Sequence, residues 1–119
     1  MNPNQDALYS VLREWAVQRK VDSYTALSQA YQARTGDWFE PHGSWDDPLG
    51  ELNRHLHHAT GAPALSALVV LKNSGEPGAK FWACSPNVPA RPNTELLRLT
   101  EWSRIVAAVH AYTWPVLRP

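Results

Sequence analysis

The residues "HLHH" at positions 55–58 form the densest group of potential ligands in the chain. On a helix His55 and His58 stand at i and i+3 and share a face, and Glu51 lies four residues before His55, a layout that a divalent ion could bridge. His57 faces elsewhere. No Cys-x-x-Cys or His-Glu-x-x-His pattern accompanies the group, so the reading is a solvated helix face and no metal. Cys84 is the one cysteine; it has no partner for an internal disulfide and no local motif that supplies a base, and it reads as a small buried apolar side chain. Ser66 lacks the Gly-x-Ser-x-Gly of a nucleophile elbow, and "SGEPG" lacks the lysine and helix start of a phosphate loop. These residues predict a chain that works by binding, without catalysis and without a cofactor.

Length and composition set the frame for that binding. With 119 residues, 44% hydrophobic and 18% charged, the chain is expected to form one globular domain over residues 1–119. No apolar run approaches the roughly 20 residues that span a bilayer, and "MNPNQDALYS" lacks the layout of a secretory signal, so the expected location is cytoplasmic, with no membrane partner. A net charge of zero conceals an acidic middle: residues 37–71 hold five acidic and one basic side chain, residues 72–119 six basic and three acidic. That split argues against a uniformly basic nucleic-acid binder but leaves room for one basic face.

The elements follow from spacing and caps. Leu8, Val11, Leu12, Trp15 and Ala16 repeat at helical intervals between Asn4 and Lys20. A second helix starts at Asp22 or Ser23, carries Tyr24, Leu27 and Tyr31 on one face, and ends at Gly36. "DWFEPHGSW" has no usable period and reads as an aromatic loop. Asp47 as N-cap and Pro48 in the first turn open a third helix with Leu49, Leu52 and Leu56 inward and Gly61 at its end. "LSALVVL" then reads as a buried strand, "NSGEPG" as a turn and "KFWACS" as the returning strand. A last helix is capped by Asn93 or Thr94, with Leu97, Leu99, Trp102, Ile105, Val106 and Val109 on a broad buried face, and stops before Pro115. The fold class is α+β, and the order of three helices, a two-stranded hairpin and a C-terminal helix is that of a winged-helix domain. In that arrangement "KNSGEPGAK" is the wing tip, flanked by Lys72 and Lys80.

From Tyr24 to Glu101 the chain resembles the DNA-binding domain of the alkylguanine-DNA alkyltransferases and alkyltransferase-like proteins. "SYTALS" matches the Thr-Tyr-Gly-x-Leu-Ala opening, Leu49-Gly50 the Val-Gly of the recognition helix, Val70-Leu71 with "KNSGEPG" the segment after the reactive motif, and "ELLRLTE" the start of the final helix. Where the family has Pro-Cys-His-Arg, this chain has Ser66, Ala67, Leu68 and Val69, so the alkyl acceptor is absent. Asp47 and Pro48 stand where the family has its base-displacing arginine. The resemblance therefore implies a winged-helix layout and not alkyl transfer.

Two binding functions follow as expectations. In the first, DNA is contacted by Arg54, His55 and His58 of the third helix, by Lys72 and Lys80 of the wing, and by Tyr24 at a phosphate. Asp46, Asp47 and Glu51 oppose phosphates at the start of that helix. In the second, a protein-interaction or inhibitor module of bacterial or phage type presents Trp38, Phe39 and Trp45 from the acidic loop 37–47, whose aromatics are hard to bury.

Overall fold

A computed structural model describes residues 3–39 and 45–119. The first helix, α1 (Gln5–Val17), begins where the Asn4 side chain accepts the N–H groups of Asp6 and Ala7 at 2.9 and 3.1 Å, and it buries Leu8, Val11, Leu12 and Trp15 as the spacing predicts. The chain then forms a two-residue strand, β1 (Asp22–Ser23), and turns directly into α2 (Tyr24–Thr35). Ser23 does both jobs. It belongs to the strand, and its hydroxyl caps α2 by accepting the Ala26 N–H at 3.1 Å. Gly36, at φ 78°, closes α2 in the left-handed conformation that glycine adopts without steric cost.

The third helix, α3 (Asp46–Thr60), starts one residue before the expected Asp47 cap. Trp45 occupies the N-cap position and no side chain caps it; the Trp45 carbonyl accepts the Leu49 N–H at 2.9 Å. Pro48 sits in the first turn, where its missing N–H leaves no gap. Leu49, Leu52 and Leu56 are buried as expected.

The expected β-hairpin is replaced by a different arrangement. Leu65–Leu68 is a 3₁₀ turn, and only Val69–Val70 is extended, forming β2. Its partner is β1, paired in parallel with Asp22 opposite Val69 and Ser23 opposite Val70. Both valines are buried, which suits a strand covered on two sides. No returning strand exists among the described residues. A tight turn, closed by Leu71 N–H to Glu76 O at 2.7 Å with Gly75 at φ 70°, leads into Pro77, which has no N–H to give a ladder. Residues Ala79–Phe81 then coil into a second 3₁₀ turn instead of pairing back.

The last helix, α4 (Glu95–Ala111), is capped by the Thr94 hydroxyl, which accepts the Leu97 N–H at 3.2 Å. Its buried face is narrower than expected. Ile105 and Val109 are buried and Trp102 and Val106 half-buried, whereas Leu97 and Leu99 are exposed, with Leu96 at 71%. Trp102 still anchors the helix, its indole N–H donating to the Ala67 carbonyl at 2.8 Å. The Leu65–Leu68 turn is the hub of the core, touched by α1, α3 and α4. Among the described residues the architecture is thus α+β: four helices around a short buried turn, with a two-stranded parallel sheet. Among the described residues no helix is long and apolar enough to cross a membrane.

Candidate nucleic-acid interface

Tyr24 is the residue on which this surface is organised. Leaving β1 as the first residue of α2, it turns its ring inward, and its hydroxyl accepts the Gly78 N–H at 3.2 Å. Residue 78 must be small there, because a Cβ would stand 2.6 Å from the Tyr24 oxygen. Burial raises the phenol above its ordinary pKa of 10.0, against the opposing Gly78 hydrogen bond.

Two depressions meet at this side chain. One is a groove of about 400 Å³ lined by Ser23, Tyr24, Thr25, Leu71, Lys72, Asn73 and Ser74. The other is a cavity of about 10 Å³, room for one water, whose wall includes Tyr24, Asp46, Gly50, Ser66, Lys80 and Cys84. Lys72 and Lys80 each line one of the two depressions that Tyr24 shares. Both are exposed, and neither has a carboxylate within 4.0 Å among the described residues. Asp46 is half-buried at the start of α3; burial raises its carboxyl above 3.8, with Lys80 pulling it down and Asp47 pushing it up.

Behind the cavity the polar groups are satisfied and rigid. Asn53, 2% exposed, donates to the Ser66 hydroxyl at 2.6 Å and to the Cys84 sulfur at 3.3 Å, while its carbonyl oxygen accepts the Ser66 backbone N–H at 3.2 Å. A backbone N–H can only donate, so the amide orientation is determined, and Cys84 acts as an acceptor. Sequence reasoning missed this pair. An asparagine on the inner side of a leucine-rich helix was its only trace. Cys84 itself is half-buried, more open than the buried apolar side chain expected.

Arg54, on the outer side of α3, folds over Gly50 and donates to the Cys84 carbonyl at 2.9 Å. No family model, curated protein or solved structure matches this chain. What the surface can do follows from its chemistry: a cation and hydroxyl-bearing side chains in an open groove at the amino end of α2 suit an anion.

The structure does not bring all the candidates together. His55 turns to the C-terminal segment, with Nε2 2.6 Å from the Pro119 carbonyl oxygen. His58 is exposed one turn on from Arg54. Among the described residues no group of His, Cys, Asp or Glu is placed to hold a metal ion.

The aromatic loop divides in the same way. Trp45, expected at an interface, is 0% exposed: its indole N–H donates to Ser28 at 2.9 Å, and its ring meets Tyr31 and Phe39 at centroid distances of 5.4 and 4.2 Å. The buried Ser28 hydroxyl satisfies the indole N–H, which removes the penalty that keeps Trp near water. Phe39 is half-buried and Trp38 is 47% exposed. Residues 40–44 of the expected loop lie outside the described residues.

Proposed function

We propose that this chain is a winged-helix-like binding domain that holds the phosphate backbone of DNA along the start of α2, the turn at residues 71–76 and the outer side of α3. Tyr24 carries the reading, because it lines both the Lys72 groove and the Lys80 cavity and so joins two cations to the amino end of a helix. Helix amino ends and lysines both favour phosphate oxygens. In this reading α2 and α3 act as the helix pair, tied through Trp45 to Ser28 and Tyr31, and the tight turn takes the place of a hairpin wing. The likeness to the alkyltransferase DNA-binding domain supports the same reading, since "SYTALS" and "KNSGEPG" are the segments that border the groove. Arg54 and His58 extend the contact along α3, whereas His55 contributes once it leaves the C-terminal segment.

A salt titration of binding to random-sequence duplex DNA tests the proposal. Neutralising about three phosphates gives a slope of log K against log salt near −2.7. Absent binding, or a flat slope, overturns it. Trp38 favours a second reading, as an exposed aromatic beside the Tyr31, Phe39 and Trp45 cluster fits an anchor for a protein partner, in the manner of a small bacterial or phage inhibitor.

A further inference from the structure

From this surface we infer that Asp46 is a built-in competitor anion: it holds Lys80 back from nucleic acid, while Lys72 is left free to bind. The inference rests on the DNA-binding reading above and concerns how that surface is regulated.

The two lysines differ in their surroundings. Lys72 shares its groove with Ser23, Tyr24, Thr25, Leu71, Asn73 and Ser74, a wall without a carboxylate. Lys80 shares its cavity with Asp46. The Asp46 carboxylate is held close to the Lys80 segment: Oδ1 lies 3.7 Å from the point where a Cβ on Gly78 would stand, and the Tyr24 oxygen lies 2.6 Å from the same point. Among the described residues, the ionisable groups around Asp46 are Tyr24 from α2, Asp47 from its own helix, Lys80 from the second 3₁₀ turn and Cys84 just beyond it, with Arg54 folded over Gly50 of the cavity wall and bonded to the Cys84 carbonyl. Of these two cations, Lys80 lines the cavity itself.

A phosphate cannot replace the carboxylate by entering, because the cavity has room for a single water. It must approach Lys80 from outside the cavity that Lys80 shares with Asp46, and there it meets the field of a fixed negative charge. Carboxylate and phosphate compete for one cation. Like-charge juxtaposition of this kind weakens an interface without altering its fold. Lys72 therefore carries the larger share of the basal affinity, and Lys80 adds its full share only when Asp46 is neutral.

Fluorescence anisotropy with a random-sequence 20-base-pair duplex at low salt and neutral pH tests this (the duplex length is roughly two helical turns). Lys72→Met weakens binding several-fold in any background. Lys80→Met weakens the wild type less than Lys72→Met does, Asp46→Asn tightens it by about 3–10-fold, and Lys80→Met in the Asp46→Asn background removes that gain. Asp46→Ser is the second neutral variant, since serine also tolerates a helix start. Asp47→Asn, an equal change in net charge one residue away, gives a smaller gain. If both Asp46 variants bind like wild type while Lys72→Met still weakens binding, the competitor role is overturned and the DNA reading stands. A gain that survives removal of Lys80, or that Asp47→Asn matches, also overturns it, because bulk charge is then sufficient. Absence of binding by every form removes the inference and the DNA reading together.

Discussion

The Tyr24 hydroxyl accepts the Gly78 N–H at 3.2 Å, and a Cβ on residue 78 would stand 2.6 Å from that oxygen. The hydrogen bond and the missing side chain are one feature: α2 and the segment after the tight turn approach so closely that only glycine leaves room for the phenol. Gly78→Ala is therefore expected to destabilise the fold by about 1–3 kcal/mol, as overpacking does in a close contact. In a Tyr24→Phe background the oxygen is gone and the added methyl should cost less than about 1 kcal/mol. Urea denaturation of the four forms measures the coupling. Equal losses in both backgrounds would mean that the methyl strains the backbone and not the phenol.

Trp45 and Trp38 sit a few residues apart yet differ in burial, 0% against 47% exposed. Trp45→Ala removes a fully enclosed indole and leaves Ser28 unpaired, for an expected loss of about 3–5 kcal/mol. Trp38→Ala should change stability by less than about 0.5 kcal/mol. Chemical denaturation separates the two. If Trp38→Ala also abolishes capture of a protein partner while DNA binding is unaffected, the second functional reading gains its anchor.

Much of the helical framework was legible because it is written in local signals. The run from Leu8 to Trp15, the Pro48 and Gly61 brackets of α3 and the Thr94 cap each declare an element within a few residues. The sheet was not legible for the opposite reason. "LSALVVL" is equally apolar whether it forms a whole strand or a 3₁₀ turn followed by two strand residues, and period alone does not separate those cases. Its partner, Asp22–Ser23, lies far earlier in the chain and is too short to carry a pattern. Trp45 misled because a Gly- and Pro-rich neighbourhood reads as open loop, and the hydroxyl that lets it be buried belongs to another helix. Tyr24, Lys72 and Lys80 could be singled out from the order of elements, but their meeting around one side chain depends on the Gly78 contact, which no spacing rule reveals.

Asn53 makes a further test of the interior. Its side chain closes a reciprocal pair with Ser66 and is nearly sealed from solvent. Asn53→Ala leaves the buried Ser66 N–H without its acceptor, and the expected loss is about 1–3 kcal/mol. Asn53→Asp keeps the acceptor for that N–H but replaces the donor to the Ser66 hydroxyl and Cys84 with a second acceptor. It should therefore destabilise at neutral pH and recover as the pH is lowered and the carboxyl takes up a proton. Denaturation midpoints measured at two pH values check the pattern, and a pH-independent loss in Asn53→Asp would show that the amide N–H contacts carry no weight.

Asp46 supplies a pH dependence that can be assigned to one group by comparison with Asp46→Asn. Burial raises its carboxyl above 3.8, with Lys80 opposing and Asp47 adding, so the folded chain holds this proton more tightly than the unfolded chain. Stability falls with rising pH wherever the folded state binds more protons. Relative to Asp46→Asn, the wild type is expected to lose stability as the pH rises from 3.8 through the elevated folded value, with the deficit complete above that value and absent below 3.8. Urea midpoints of the two proteins, taken at intervals from acid to neutral pH, give the difference directly, and the changes common to both proteins cancel. A difference that stays constant with pH would show that burial and Lys80 balance, and one that grows toward acid would show that Lys80 outweighs burial and that the carboxylate is held as a stabilising partner. In that case Lys80→Met should destabilise the wild type and leave Asp46→Asn unchanged.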